Sequence, residues 1–151
     1  MTDSRAIAVC IPRPLFVPSV FERRAQDVVD AAGRRGCDAA IVTLPYNSDD
    51  PRLHRNAALA WALLDLSDLG TGRFLDAAVC LDPHSLFVHH PRKVVWLTPG
   101  WEGDEWLQRA LRMHRPGEDA PRSVGPDADA DDVVDAALAA GPKAFRAMLS
   151  R

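Results

Sequence analysis

The first 115 residues alternate between short apolar runs and longer amphipathic stretches, a pattern typical of β/α units. Four apolar runs that end at prolines or polar turns predict buried parallel strands, at 6–11, 38–44, 76–81 and 93–97. Longer stretches with helical spacing predict helices between Ser19 and Gly36, over 52–66 and over 104–115. This order favours a single Rossmann-like α/β domain, in which helices flank a four-stranded parallel sheet with strand order 2-1-3-4.

The first predicted helix carries the most local signals. Ser19 and Glu22 have the spacing of a capping box, and Gly36 is placed to end the helix. The apolar stripe that is expected to face the sheet consists of Val20, Phe21, Ala25, Val28, Ala31 and Ala32.

The chain changes composition after the domain of residues 1–115. Residues 116–132 are rich in proline, glycine and acidic side chains and predict a loose linker, because they hold too little apolar area to offset chain entropy. The acidic run 127–132 is expected to be a solvated tether or the charged start of a helix. Apolar positions return in residues 133–151, which predicts a helical segment that packs back on the domain.

Composition narrows the classes of function. The 151 residues carry 18 basic and 21 acidic side chains, and this net charge of -3 gives no electrostatic case for binding nucleic acid or an anionic membrane. No secretory signal or membrane-inserted segment is expected, so the predicted location is cytoplasmic. Three separated cysteines predict buried, reduced thiols, and the histidines at 84, 89 and 90 lack the spacing of metal ligands. Because dinucleotide, P-loop and nucleophile-elbow motifs are also missing, no cofactor is expected.

Several stretches resemble the N-terminal domain of bacterial family 4 glycosyltransferases, above all "HPRKVVWL" at 90–97. The segments "RPLFVPSVFERRAQDVVDAAGRRGCDAAIVTLPY" at 13–46 and "AWALLDLSD" at 60–68 also match, so the resemblance spans residues 5–106. It implies one half of a GT-B fold, the half that holds the acceptor. In that family most of the nucleotide-sugar donor binds to a second domain, which these 151 residues do not include.

The sequence departs from the polar signatures of that family at three places. Residues 17–22 contain no glycine where relatives have a glycine-rich turn that approaches donor phosphates. Residues 98–102 replace a histidine, glutamine and arginine signature, and residues 82–85 replace a lysine-phenylalanine-proline segment. No catalytic residue is therefore assigned.

Sheets of this kind bind ligands beyond the carboxyl ends of their strands. The candidate acceptor-binding residues at that edge are Arg13, Tyr46, His84, Thr98 and Trp101. His84 is expected to be a solvated or locally hydrogen-bonded loop residue, with a general base as the alternative. Trp101 is expected to stack on an acceptor ring or to pack under the next helix, whereas Trp96 is expected in the core. Glu22 fits a helix cap better than a contact to a sugar hydroxyl.

Two functions follow from the resemblance, and enzymatic activity is left open between them. The first is the acceptor-side half of a split or truncated glycosyltransferase, inactive alone and acting with a separate donor-binding chain. The alternative is a non-catalytic, glycosyltransferase-derived binding or regulatory module that associates with a partner protein or with itself. The lost polar signatures favour this alternative, and a degraded remnant that still folds is a third interpretation.

Overall fold

The structure is a computed structural model that describes residues 5–14, 20–46, 51–67, 74–97, 103–113 and 119–139. Within these ranges five strands form one sheet: β1 (Ala6–Pro14), β2 (Asp38–Tyr46), β3 (Ala77–Cys80), β4 (Lys93–Trp96) and β5 (Arg122–Val124). The same ranges contain four α-helices: α1 (Val20–Arg34), α2 (His54–Ala62), α3 (Glu105–Arg112) and α4 (Ala130–Leu138). Short 3-10 helices lie at Pro51–Leu53 and His84–Phe87.

The sheet is parallel throughout, with the strand order β2-β1-β3-β4-β5. This is the order of flavodoxin-like doubly wound sheets, and it confirms the predicted Rossmann-like class. The predicted number of strands, four, was wrong. The fifth strand lies inside residues 116–132, which the composition predicted as a linker, and it pairs with β4 through the register Val94↔Arg122. A short edge strand needs little apolar sequence because its backbone supplies the pairing.

Strand β1 continues to Pro14 instead of ending before Pro12 as predicted. The Leu81 N–H donates to the Cys10 carbonyl, so the even-numbered residues of β1 direct their backbone polar groups towards β3. Strand β3 ends at Cys80, beside Cys10. The missing N–H groups of Pro12 and Pro14 therefore interrupt no pairing, because β3 no longer runs beside them.

Helices cover the sheet on both sides. Helices α1 and α4 pack on one side, the α1/α4 face, where the buried residues of α1 are Ala25, Val28, Ala31 and Ala32. Helices α2 and α3 and the 3-10 helix His84–Phe87 pack on the other side, the α2/α3 face, around Trp61 and Leu107. The core positions predicted for α1 are confirmed except at its first turn, where Val20 is exposed and Phe21 is only half-buried. Trp96 is buried, as predicted.

Local signals at the helix ends explain where the helices begin and end. The Asp104 carboxylate accepts a hydrogen bond from the Leu107 N–H at the start of α3. Asp129 and Asp132 form a reciprocal capping box on α4, so the acidic run is the start of a helix. Gly36 ends α1 with a positive φ of 67°, as predicted. The cap predicted at Ser19 lies outside the described residues, and Glu22 is exposed in the first turn of α1.

Candidate functional site

The topological switch point of this sheet lies between β1 and β3, at their carboxyl ends. Arg13 and Tyr46 lie near the ends of the paired strands β1 and β2, at the same edge. His84 begins the 3-10 helix that follows β3. Thr98 and Trp101 lie outside the described residues. The backbone therefore places Arg13, Tyr46 and His84 at one edge of the sheet, and of these three the structure describes only the side chain of His84.

The carboxylate of Asp82 organises the chain that leaves β3. Asp82 is buried, and its two oxygens accept hydrogen bonds from the N–H groups of His84, at 3.2 Å, and Ser85, at 3.3 Å. The Ser85 hydroxyl in turn donates to the Asp82 carbonyl at 2.9 Å. An aspartate that accepts from the next backbone N–H groups is a common way to start a helical turn. Asp82 thus fixes the position of His84.

The ring of His84 is enclosed and not solvated, since its residue is only 1% exposed. Its Nδ1 lies 3.3 Å from Asp82 Oδ2. The ring centroid is 5.0 Å from that of His54, the first residue of α2, and 5.8 Å from that of Trp106, in the first turn of α3. The prediction of a solvated loop histidine was wrong, because the 3-10 helix turns this side chain inward under α2 and α3.

Phe87 and Arg109 complete this aromatic cluster. Phe87 meets Trp106 edge to face, with centroids 6.2 Å apart, and the Arg109 guanidinium lies 5.1 Å from the Trp106 centroid. His54 and Trp106 are both half-buried and Arg109 is exposed, so the cluster reaches the surface through these three residues.

Lys93 is a buried cation with a structural role. Its ammonium group donates to the carbonyls of Leu86, at 2.8 Å, and Val88, at 3.3 Å. These carbonyls belong to the end of the 3-10 helix, which Asp82 begins. Asp82 and Lys93 therefore hold opposite ends of the same short helix, and both form their hydrogen bonds with the protein backbone.

His90 joins the segments that precede β3 and β4. Its Nε2 lies 2.9 Å from the Leu75 carbonyl, and its Nδ1 lies 2.9 Å from the Arg92 N–H. The Leu75 carbonyl requires a proton on Nε2, whereas Nδ1 lies 2.9 Å from the Arg92 carbonyl as well, so it accepts from the Arg92 N–H in the neutral ring and donates to the Arg92 carbonyl in the charged one. Burial lowers the pKa of His90, and the backbone hydrogen bonds to Leu75 and Arg92 act in the opposite direction. Burial outweighs these hydrogen bonds and favours the neutral ring.

Two thiols lie side by side between β1 and β3. Cys10 and Cys80 are opposite each other in the register, and both are fully buried and free. A hydrogen bond with Cys80 and burial raise the pKa of Cys10 well above its usual range. A protonated, enclosed thiol is a poor nucleophile, so Cys10 offers no thiolate chemistry at neutral pH. Cys37 is also buried and forms no disulfide with the described cysteines, and the prediction of buried thiols is confirmed.

Sequence reasoning missed the two residues that carry the surface of this site, His54 and Trp106. Each sits at the first turn of a helix that begins at the carboxyl edge, and that position was the available signal. Asp65 lies three positions beyond α2 and accepts from the Ser67 N–H and hydroxyl, which lower the pKa of its carboxyl.

The described residues define a doubly wound α/β domain whose carboxyl edge presents an aromatic and histidine surface. No cluster of three or more metal-binding side chains occurs within the described ranges. Likewise, no helix in the part of the chain that the structure describes is long and apolar enough to cross a membrane. Comparison with protein-family models, with curated proteins and with solved structures finds no match.

Proposed function

We propose that this chain is the acceptor-binding side of a glycosyltransferase, and that a separate chain supplies the donor-binding side. The observation that carries the proposal is the surface at the carboxyl edge of the sheet where the rings of His54 and Trp106 both meet that of His84. An indole face with a nearby imidazole offers both an apolar platform and hydrogen-bonding groups, a combination suited to a sugar ring or another polar ring.

The remaining acceptor-binding residues in this proposal are Arg13, Tyr46, Thr98 and Trp101, whereas His84 has a supporting role. Arg13 and Tyr46 end two neighbouring strands at the edge where His54 begins α2. His84 lies behind His54 and Trp106 and supports their rings instead of touching the acceptor.

The proposal assigns the reacting groups to the partner chain. Sugar transfer needs a base near the acceptor hydroxyl and positive charge near the departing phosphate. Among the described residues, the Asp82–His84 pair has the chemistry of an oriented base, but both side chains are buried and Asp82 is bound to backbone N–H groups. We therefore place the acceptor-binding site on this chain and the proton-accepting base on the partner chain. The two chains would face each other across a cleft in the cytoplasm.

A second candidate function, a non-catalytic binding or regulatory module, is favoured by a different observation. Asp82 lies in a segment that departs from the glycosyltransferase pattern, and His90 and Lys93 lie in the segment 90–97 that matches it. The side chains of all three form hydrogen bonds with backbone groups of the chain itself. In that case the same edge binds a partner protein or a second copy and transfers nothing.

Recovery of the chain from its native cell, at native expression, tests the proposal. Its co-eluting proteins are identified by mass spectrometry, and the recovered complex is assayed for sugar transfer. We expect a donor-binding chain and transfer activity. Recovery of the chain alone would support the non-catalytic module instead. So would recovery of a complete transferase whose activity this chain only raises or lowers.

Matched variants then locate the acceptor on this chain. Trp106→Leu is expected to lower kcat/KM for the acceptor by about tenfold, without changing KM for the donor. His54→Gln is expected to act in the same direction and more weakly. Arg112→Gln, at the exposed end of α3, is the control and should leave both parameters unchanged. Equal loss in all three variants would contradict an acceptor surface at Trp106.

A further inference from the structure

The edge of the sheet opposite the candidate site contains a cavity lined by charged side chains. The cavity has a volume of about 60 Å³ and lies where the amino ends of β4 and β5 meet helix α4. Its lining includes Arg92, Arg122, Asp119 and, from α4, Ala136. This volume is roughly four times the minimum that one water molecule requires, so a small polyatomic group fits.

Arg92 and Arg122 bring two guanidinium groups to this cavity. Arg92 directly precedes β4, and Arg122 begins β5 opposite Val94. Within the described ranges neither arginine forms an ion pair, and the Nη1 of Arg92 is buried without an acceptor. Burial lowers the pKa of Arg92, the nearby Asp119 carboxylate acts in the opposite direction, and the charge of Arg122 adds a smaller lowering.

The neighbouring charges at this edge are mostly engaged elsewhere. Arg5 donates to the Leu138 carbonyl at the end of α4, and the Asp76 carboxylate accepts from the Ala6 N–H. Lys93 donates to carbonyls on the α2/α3 face. Asp119 is the acidic residue of this lining. Its N–H donates to the Pro91 carbonyl, and this hydrogen bond holds Asp119 beside the cavity.

We propose that this cavity binds a small oxyanion, a phosphate or carboxylate group, between Arg92 and Arg122. Guanidinium groups bind such anions through paired N–H donors, and an anion between two of them relieves their mutual repulsion. Asp119 opposes a doubly charged ligand and so limits the affinity. The site goes beyond the proposed function, because it lies at the opposite edge from His54 and Trp106 and requires neither acceptor nor partner chain.

Titration of the full chain with inorganic phosphate tests the proposal, with thermal unfolding and amide chemical shifts as the two measurements. Chloride at the same ionic strength is the reference. We expect saturable stabilisation by phosphate and saturable shifts confined to the amides near Arg92, Asp119 and Arg122. Glycerol phosphate and acetate, used in parallel, distinguish a phosphate group carried by a larger ligand from a carboxylate.

Four variants give the proposal its sharpest test. Arg122→Gln and Arg92→Gln are expected to weaken phosphate binding at least about tenfold, and Asp119→Asn to strengthen it about threefold. Arg112→Gln removes one exposed positive charge on α3 and should bind like wild type. Arg122 is exposed on an edge strand, so its variant is expected to fold even if Arg92→Gln does not. Phosphate effects no larger than those of chloride, or equal losses in Arg122→Gln and Arg112→Gln, would overturn the proposal.

Discussion

The α1/α4 face of the sheet buries apolar side chains, whereas the α2/α3 face buries apolar side chains together with a set of polar ones. The buried polar residues among those described are Asp82, His84, Ser85, His90 and Lys93. Charged side chains also join α1 to α4, but they do so at the surface, where Arg34 and Arg35 meet Asp131 and Asp135.

The α1/α4 face is therefore stabilised by burial of apolar surface, whereas the α2/α3 face depends on the geometry of buried hydrogen bonds as well. Hydrophobic packing is non-directional and tolerates substitutions that conserve volume. A buried polar group instead costs free energy unless a partner meets it at the right place. Asp82, His90 and Lys93 each meet backbone groups in short connections, so the α2/α3 face is the more sensitive to small chemical changes.

The comparison is tested most strongly at Lys93 and Val94, neighbours on β4 that are buried on opposite faces. Lys93→Met leaves the Leu86 and Val88 carbonyls without their donor and is expected to lower the free energy of unfolding by about 3 kcal/mol. Val94→Ala removes two methyl groups and is expected to cost about 2 kcal/mol. Urea unfolding measures both values.

The outcome for Lys93→Met decides whether these hydrogen bonds exceed the cost of burying an ammonium group. If Lys93→Met is as stable as wild type, the hydrogen bonds only balance the cost of burying the ammonium group. Apolar packing alone would then stabilise the α2/α3 face as well. Lys93→Arg is the matched control, because it keeps the charge and the donors but changes their geometry.

Asp82 gives the next largest effect. Asp82→Ala leaves the His84 and Ser85 N–H groups without their acceptor and is expected to cost about 2 kcal/mol, whereas Asp82→Asn keeps one oxygen and should cost about half as much. The exposed Asp127 provides the control through Asp127→Asn, which should leave stability unchanged. Equal stabilities for Asp82→Ala and Asp82→Asn would show that the carboxylate oxygens do not act as helix-starting acceptors. Chemical denaturation followed by circular dichroism makes the measurement.

The contrast between the faces also explains which parts of the molecule were predictable. Short apolar runs indicated β1 to β4, and the helical spacing of apolar residues indicated α1. Both patterns depend only on which residues are buried. It missed β5, where Arg122 and Ser123 are exposed and only backbone pairing with β4 makes the strand. The sequence indicated the carboxyl edge of the sheet, but not the meeting of His54, His84 and Trp106, since these residues are brought together only by tertiary packing.

The segment "HPRKVVWL" shows the limit of pattern reasoning most directly. Its apolar part predicted a strand correctly, because a short continuous apolar run is typical of a parallel strand buried on both faces. Its polar residues carried part of the resemblance to glycosyltransferases, and in the structure His90 and Lys93 bind carbonyls of the segments 74–76 and 84–88. Neither partner is adjacent in sequence, so the direction of these side chains was not available from the pattern.

His90 predicts a dependence of stability on pH. Its pKa is lowered by burial from the ordinary value of 6.5, so the folded state binds fewer protons than the unfolded state below that value. Stability is therefore fully present above about pH 6.5 and is lost as the pH falls from there through the lowered pKa. One proton allows a slope no steeper than about 1.4 kcal/mol per pH unit.

His90→Gln is the control for this dependence, since its amide offers a donor and an acceptor that do not titrate in this range. The difference in unfolding free energy between wild type and His90→Gln should shrink or reverse as the pH falls from about 7.5 to about 5. A difference that stays constant across this interval would contradict the assignment of a neutral, structural ring.

The smallest effect is expected for the charges of the α1/α4 face, which lie outside its core. Arg35 pairs with Asp131 and Asp135, but the side chain of Asp135 keeps 67% of its exposure. Arg35→Gln is therefore expected to cost only about 0.5 kcal/mol, and the loss should fall further as salt approaches about 1 M. Arg34→Gln, which removes the more exposed partner of Asp131, should cost less still. Because Arg35 also donates to the Asp131 carbonyl in the first turn of α4, a loss that persists in high salt would assign its contribution to that hydrogen bond, and both faces would then depend on backbone capping.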